Sequence, residues 1–320
     1  VNHNPYKFEI LEAKIGCERC HGPGELHVKH QRSLVDQSVE ASTAIDHTIV
    51  NPRSLSRELS EAVCQQCHCK CVQNINFSGR DESNYRPGLR LTDYRADFQL
   101  QTGDDQMRLV GQVEQMHQSM CFTESETLTC ITCHNPHDPP AADDLVRHYR
   151  DACYTCHDDE ACGKTHQDRL SANGNDCSTC HMPRGETNVS HFALHDHRIA
   201  VHDKTTKEKP TTTIGLNPIL SIAQHPASEQ KRLEGLAMFE LHRRFGGLKE
   251  FAVYDRKATE TLLAVRHSGV ADLDMDAALA WIARDQGEGS AAETLAKESL
   301  DREQGETMAR IIATIVLARI

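Results

Sequence analysis

Aromatic residues make up only 5% of this chain and tryptophan occurs once, so a core built from large rings has little to draw on. Hydrophobic residues reach 38% of 320, which predicts that another apolar body fills part of the interior. Long apolar runs are missing too. Nothing approaches the ~18 consecutive apolar residues of a membrane span, and the tail from Ile311 to Ile320 is short and interrupted by Arg319. Basic residues are outnumbered, 35 Lys and Arg against 47 Asp and Glu, leaving a net charge of −12. That balance excludes a phosphate-gripping nucleic-acid surface, which needs clustered positive charge. It points instead to partner proteins with a basic docking face, whose association weakens as salt rises. Cysteine is absent from the last 140 residues, whereas all 14 Cys fall between Cys17 and Cys180. So many cysteines predict an oxidising compartment, periplasmic or extracellular. The chain opens on Val1 without an apolar leader, and we read it as a mature chain or fragment whose targeting segment has been removed.

What is present is one pattern, five times. Cys17-Glu-Arg-Cys20-His21, Cys64-Gln-Gln-Cys67-His68, Cys130-Ile-Thr-Cys133-His134, Cys153-Tyr-Thr-Cys156-His157 and Cys177-Ser-Thr-Cys180-His181 all have the form C-x-x-C-H. Chance placement of this composition gives roughly 0.04 such matches, so the pattern reads as covalent haem attachment. Two thiols must reach two vinyl groups on one porphyrin edge while the following imidazole reaches the iron from one face, and one tight helical turn presents all three together. Zinc ribbons share the C-x-x-C pairs but do not require His after every second Cys. The expected cofactor is therefore five covalently bound haem c, with His21, His68, His134, His157 and His181 as proximal ligands.

Fifteen further histidines remain against seven Met, which favours a second imidazole on each iron over Met/His ligation. The distal candidates are His27, His117, His137, His191 and His197. His137 follows His134 through Asn135-Pro136, where the proline stops the helix from continuing. It is therefore expected on a neighbouring iron and not on its own. His27 follows His21 through Gly22-Pro23-Gly24, a turn sequence to which the same reasoning applies. His30, His47, His148, His166 and His195 are expected at the surface or beside ligands. The last three motifs start at 130, 153 and 177, too close for each cofactor to have a private core, so they must share walls.

Four cysteines lie outside the motifs: Cys69, Cys71, Cys121 and Cys162. An even remainder in an oxidising compartment suggests two disulfides. Cys121 and Cys162 flank the region of the third and fourth motifs and are the expected bridge, while Cys69 and Cys71 either pair locally or stay free.

The predicted fold is mainly α with much coil, in three parts. Residues 1–210 form a pentahaem domain of short helices wrapped in coil, 211–227 a connector, and 228–320 a helical domain. In the last part Leu233, Leu236, Ala237, Leu241 and Arg244 keep helical spacing up to Gly246-Gly247. A second helix spans about Asp274 to Gln286, with Leu279 and Ile282 inward and Gly287 as its stop. Ser290-Ala-Ala-Glu293 has the form of a capping box opening a third, and a fourth starts near Thr307. The starts at 274 and 307 differ by about one tetratricopeptide period. So few repeats should lean on the first domain or on another subunit.

Taken together, Gly16 to Gly24 with His27, Ala62 to His68, Met116-His-Gln-Ser119 with Cys121, Leu128 to His137, Cys177 to Pro183 and Asp196-His-Arg-Ile199 carry a resemblance. The chain resembles bacterial multihaem cytochromes c with C-terminal tetratricopeptide repeats, relatives of the tetrahaem cytochromes of ammonia oxidisers. The likeness covers about residues 6–200 and is weaker over 228–320. It implies distal roles for His27, His117, His137 and one or both of His191 and His197, and adds weight to the Cys121–Cys162 bridge. The family usually has further motifs upstream and no Cys at the positions of Cys69 and Cys71, so its haem count does not transfer.

The function expected is electron transfer along closely packed bis-His haems, by a carrier and not an enzyme. A variant makes the chain a homo-polymer, an extracellular filament in which a residue such as His3 ligates across the subunit boundary. The rival is a multihaem oxidoreductase acting on a nitrogen or sulfur oxyanion at one open iron, with proton-handling groups beside it. A repeat scaffold with purely structural haems is a third possibility.

Overall fold

The structure, a computed structural model, describes residues 15–37, 45–69, 71–101, 111–186, 193–202, 215–246, 251, 253–302 and 307–320. His3 and His191 lie outside them. The chain is mainly helical with much coil, as expected.

The first part begins with α1 (Cys17–His21) and α2 (Glu25–Asp36). Gly22, at φ +73°, makes the left-handed turn between them that the Gly-Pro-Gly sequence calls for. α3 (Arg57–His68) follows, then β1 (Gln73–Asn76) and β2 (Arg95–Gln101). The short helices α4 (Gln112–Met116), α5 (Met120–Thr123) and α6 (Cys130–Cys133) lead to α7 (Leu145–Tyr154), α8 (His166–Asn173) and α9 (Ser178–His181). α8 shows how local sequence sets these boundaries. The Thr165 hydroxyl accepts the Asp168 N–H at its start, and Gly174 in the αL conformation closes its end. A hairpin of β3 (Arg184–Glu186) and β4 (Ala193–His195) ends this part.

A small sheet joins the helices and coil. β1 and β2 pair antiparallel, with Ile75 opposite Ala96, and β5 (Gly215–Pro218) adds to the other side of β2, with Leu216 opposite Leu100. Residues 211–227, read as a connector, thus supply a strand, and Pro218 is tolerated because β5 is at the edge. Ile75, Phe77, Ala96 and Phe98 are buried from this sheet and enter the main core.

That core is otherwise helical. α10 (Ala227–Phe245) and α11 (Val253–His267) pack as one pair, α12 (Leu273–Asp285) and α13 (Gly289–Leu300) as a second, and α14 (Thr307–Leu317) lies against the second pair. α12 carries the densest burial, from Leu273 through Ala283, and opens on Asp272, whose carboxylate accepts the Met275 N–H. The helices expected at 233–244, 274–286 and near 307 are therefore present. The capping box is not, since α13 starts at Gly289, with Ser290 inside its first turn. Gly287, at φ +82°, has already turned the chain. Arg232, fully buried, ties the two parts together by binding the Asn76 carbonyl of β1 along with Glu229, Asp272 and Asp274. Among the described residues no helix is long and apolar enough to cross a membrane.

Candidate functional site

All five C-x-x-C-H motifs lie in helical turns. Motifs one and two sit within α1 and α3. In the other three the His N–H bonds the carbonyl of the first Cys at 3.0 Å, for His134, His157 and His181 alike. Positions i, i+3 and i+4 then share a face, so both thiols and the imidazole point to one side.

The motifs also meet one another, in sequence order. α1 packs on α3, and Cys20 is pushed up in pKa by burial and by Cys64 and Cys67 beside it. Cys130, raised in pKa by the neighbouring Cys64 and by burial, puts the third motif beside the second. Cys133, raised chiefly by burial, lies by Cys121 and Cys156, and Cys153, raised by burial and then by Cys177, puts the fourth motif beside the fifth. The five motifs thus form one continuous row. The helices around them bury little: α1, α2, α6, α7 and α9 contain no buried residue. Leu26, Val35, Leu145 and Val146 stand exposed there. Exposed apolar side chains on the helices that carry or adjoin the motifs fit the walls of a porphyrin site.

Two pairs of imidazoles lie close together. The rings of His21 and His137 lie 5.7 Å apart at 14°, and those of His134 and His197 lie 6.3 Å apart at 26°. Two imidazoles on opposite sides of one metal, with bonds of about 2 Å, have centroids roughly 6 Å apart. His137 has thus been carried to the first motif, away from its sequence neighbour His134. The other ring edge is held: His21 Nδ1 donates to the Val50 carbonyl at 2.7 Å, His181 Nδ1 to Ala200 at 3.0 Å and His197 Nδ1 to His195 at 3.0 Å. His68 Nδ1 is 3.3 Å from Gln112 Oε1, and His134 Nδ1 is 3.4 Å from the Tyr149 hydroxyl. Such bonds fix the tautomer and leave Nε2 as the donor atom. Burial, followed by neighbouring imidazoles, lowers the pKa of His134 and keeps it neutral, as ligation requires; burial likewise lowers His197.

The remaining histidines differ. His27 has its Nδ1 2.8 Å from Asp46 Oδ2, and its Nε2 meets no partner among the described residues. His117 has Nε2 at 2.9 Å from Glu61 and its ring stacked on Phe122, beside a cavity of about 460 Å3. His148 spends Nε2 on the Cys133 carbonyl, and His195 is engaged at both nitrogens, by Met182 and Arg184. Sequence reasoning missed the carbonyls, Gln112, Tyr149 and Asp46 that orient these rings. No spacing rule finds them, because all but the His195 carbonyl are 15 to 44 positions from the ring they hold.

The expected Cys121–Cys162 bridge is not formed. Cys121 lies near Cys133 and Cys156, whereas Cys162 meets Arg169, whose guanidinium also gathers Asp159, the Lys164 carbonyl and Asn175. That fork holds Cys162 to its own loop. Cys69 and Cys71 are free thiols against Asp97. Burial followed by that carboxylate pushes Cys71 up to about 12 and Cys69 further.

No curated protein and no solved structure matches the chain. Residues 122–161, spanning the third and fourth motifs, match the family described as the doubled CXXCH motif. That is a signature of multihaem c-type cytochromes, and it marks covalently bound haem c on this chain.

Proposed function

We propose that the chain binds five haem c and passes electrons along them, with no substrate site of its own. The observation that carries this reading is the unbroken row of attachment thiols from Cys20 to Cys177, with imidazoles facing each other at the first and third motifs. Each bound haem supplies one-electron chemistry, with a potential set by its axial ligands and surroundings. The residues do the rest. His21 and His137 would hold one haem iron between them, and His134 and His197 another. His68, His157 and His181 are proximal at the other motifs, with His27, His117 and His191 as their distal candidates. The exposed apolar faces of α2 and α7 wall the macrocycles, so that neighbouring cofactors share a surface without intervening water.

Residues 228–320 act as a tetratricopeptide-like support leaning on the sheet, and the acidic surface receives a redox partner with a basic face. The setting is periplasmic or extracellular, and polymerisation into a filament is a variant of the same reading. Intact-mass analysis of the holoprotein and electron paramagnetic resonance of its oxidised form test the proposal. Five added haems and only low-spin ferric iron are expected. Fewer cofactors, or a high-spin centre that binds carbon monoxide when reduced, would overturn it and favour an oxyanion reductase.

A further inference from the structure

Asp46 is gripped from all sides. Its Oδ2 lies 2.8 Å from His27 Nδ1 and accepts Gln31 Nε2 at 2.9 Å, while Oδ1 accepts the Thr48 N–H at 2.8 Å and the Thr48 hydroxyl. Both oxygens are pinned, so the carboxylate cannot swing away from the imidazole. The group is largely covered, 19% exposed against 35% for His27. Among the described distal and proximal candidates, His27 is the one whose Nδ1 faces a carboxylate; His21, His181 and His197 face neutral carbonyls.

That difference has a chemical consequence. A carboxylate accepting Nδ1–H fixes the tautomer, aims Nε2 outward and makes the imidazole a stronger electron donor than a carbonyl acceptor does. A stronger donor stabilises the more highly charged ferric state. Resting on the multihaem reading above, and on His27 as a ligand within it, we propose that Asp46 is a positioning residue. Through His27 it lowers the reduction potential of the haem that His27 holds.

The experiment uses the full holoprotein in three forms, wild type, D46N and D46E, with H27A as a control. Spectroelectrochemical titration of D46N is expected to move one midpoint upward and leave the others in place. D46E, which restores the charge, should return that midpoint toward the wild-type value. A fold role alone would not select one potential. H27A is expected to create one high-spin ferric haem. If it does so while D46N shifts no midpoint, Asp46 has no tuning role and the proposal is overturned, with the multihaem reading intact. If H27A leaves every iron low-spin, His27 is not a ligand and the proposal also falls. The multihaem reading itself fails on a different result, a low haem count or a high-spin centre in the wild-type protein. Should D46N not load fully, D46S is neutral and shorter and is read in the same way.

Discussion

His21 and His137, 116 positions apart in the chain, face each other with ring centroids 5.7 Å apart and planes 14° from parallel. A helix continuing past His134 would have kept His137 beside the third motif. Pro136 breaks that path, and the extended backbone at His134 sends the next residues toward α1.

This pairing makes a direct prediction. H137A should convert one haem to high-spin and open it to carbon monoxide when reduced. In a C17A/C20A background, which removes the attachment point of the first motif, H137A should add no further high-spin signal. A new signal in that background would assign His137 to another iron. H197A should behave in the same way toward the third motif, with C130A/C133A as its matching background.

The thiols outside the motifs give a second test. Alkylation requires the thiolate, and burial with Asp97 beside it holds Cys71 up to about 12. At pH 8 only about one part in ten thousand is then ionised. Iodoacetamide should therefore leave Cys69 and Cys71 unmodified in the native protein and label them in denaturant. Peptide mass mapping reads the outcome, and rapid native labelling at pH 8 would contradict the buried placement. The same map should find Cys121 and Cys162 as separate thiols.

Arg232 is a third point of attack. Removing it leaves Glu229, Asp272 and Asp274 without their shared cation and the Asn76 carbonyl without its donor. R232A should cost about 3–5 kcal/mol, the range for breaking a buried charge network from one side. Thermal denaturation followed in the far ultraviolet measures it. The haem spectra below the transition should stay unchanged, because Arg232 itself binds no residue of a motif.

Packing of α10 on α11 depends on the absence of a side chain at Gly235. A Cβ there would come within 2.7 Å of Leu262 Cδ2 and 2.8 Å of its Cγ, and Leu262 is fully buried. G235A should destabilise the chain by about 1–3 kcal/mol, as overpacking does. In an L262A background the same substitution should cost less, since the shorter side chain frees the space the new methyl needs. Chemical denaturation of the single and double variants checks the coupling.

The attachment residues were legible in the sequence because their chemistry is local. Two thiols and an imidazole at i, i+3 and i+4 need only one helical turn, and no distant contact can disguise the pattern. The C-terminal helices α10 and α12 were legible for a related reason, as apolar residues at helical spacing ended by Gly246 and Gly287, whereas α11 (Val253–His267) was not foreseen. Tertiary structure alone decided the remainder. Strands of four residues such as β1 carry too little alternation to announce themselves, and β5 gains its partner only because β2 is already in place. The choice of His137 for the first motif, the capture of Cys162 by Arg169 and the clamp of Asp46 on His27 depend on distances between residues far apart in the chain. Side-chain spacing holds no record of those distances.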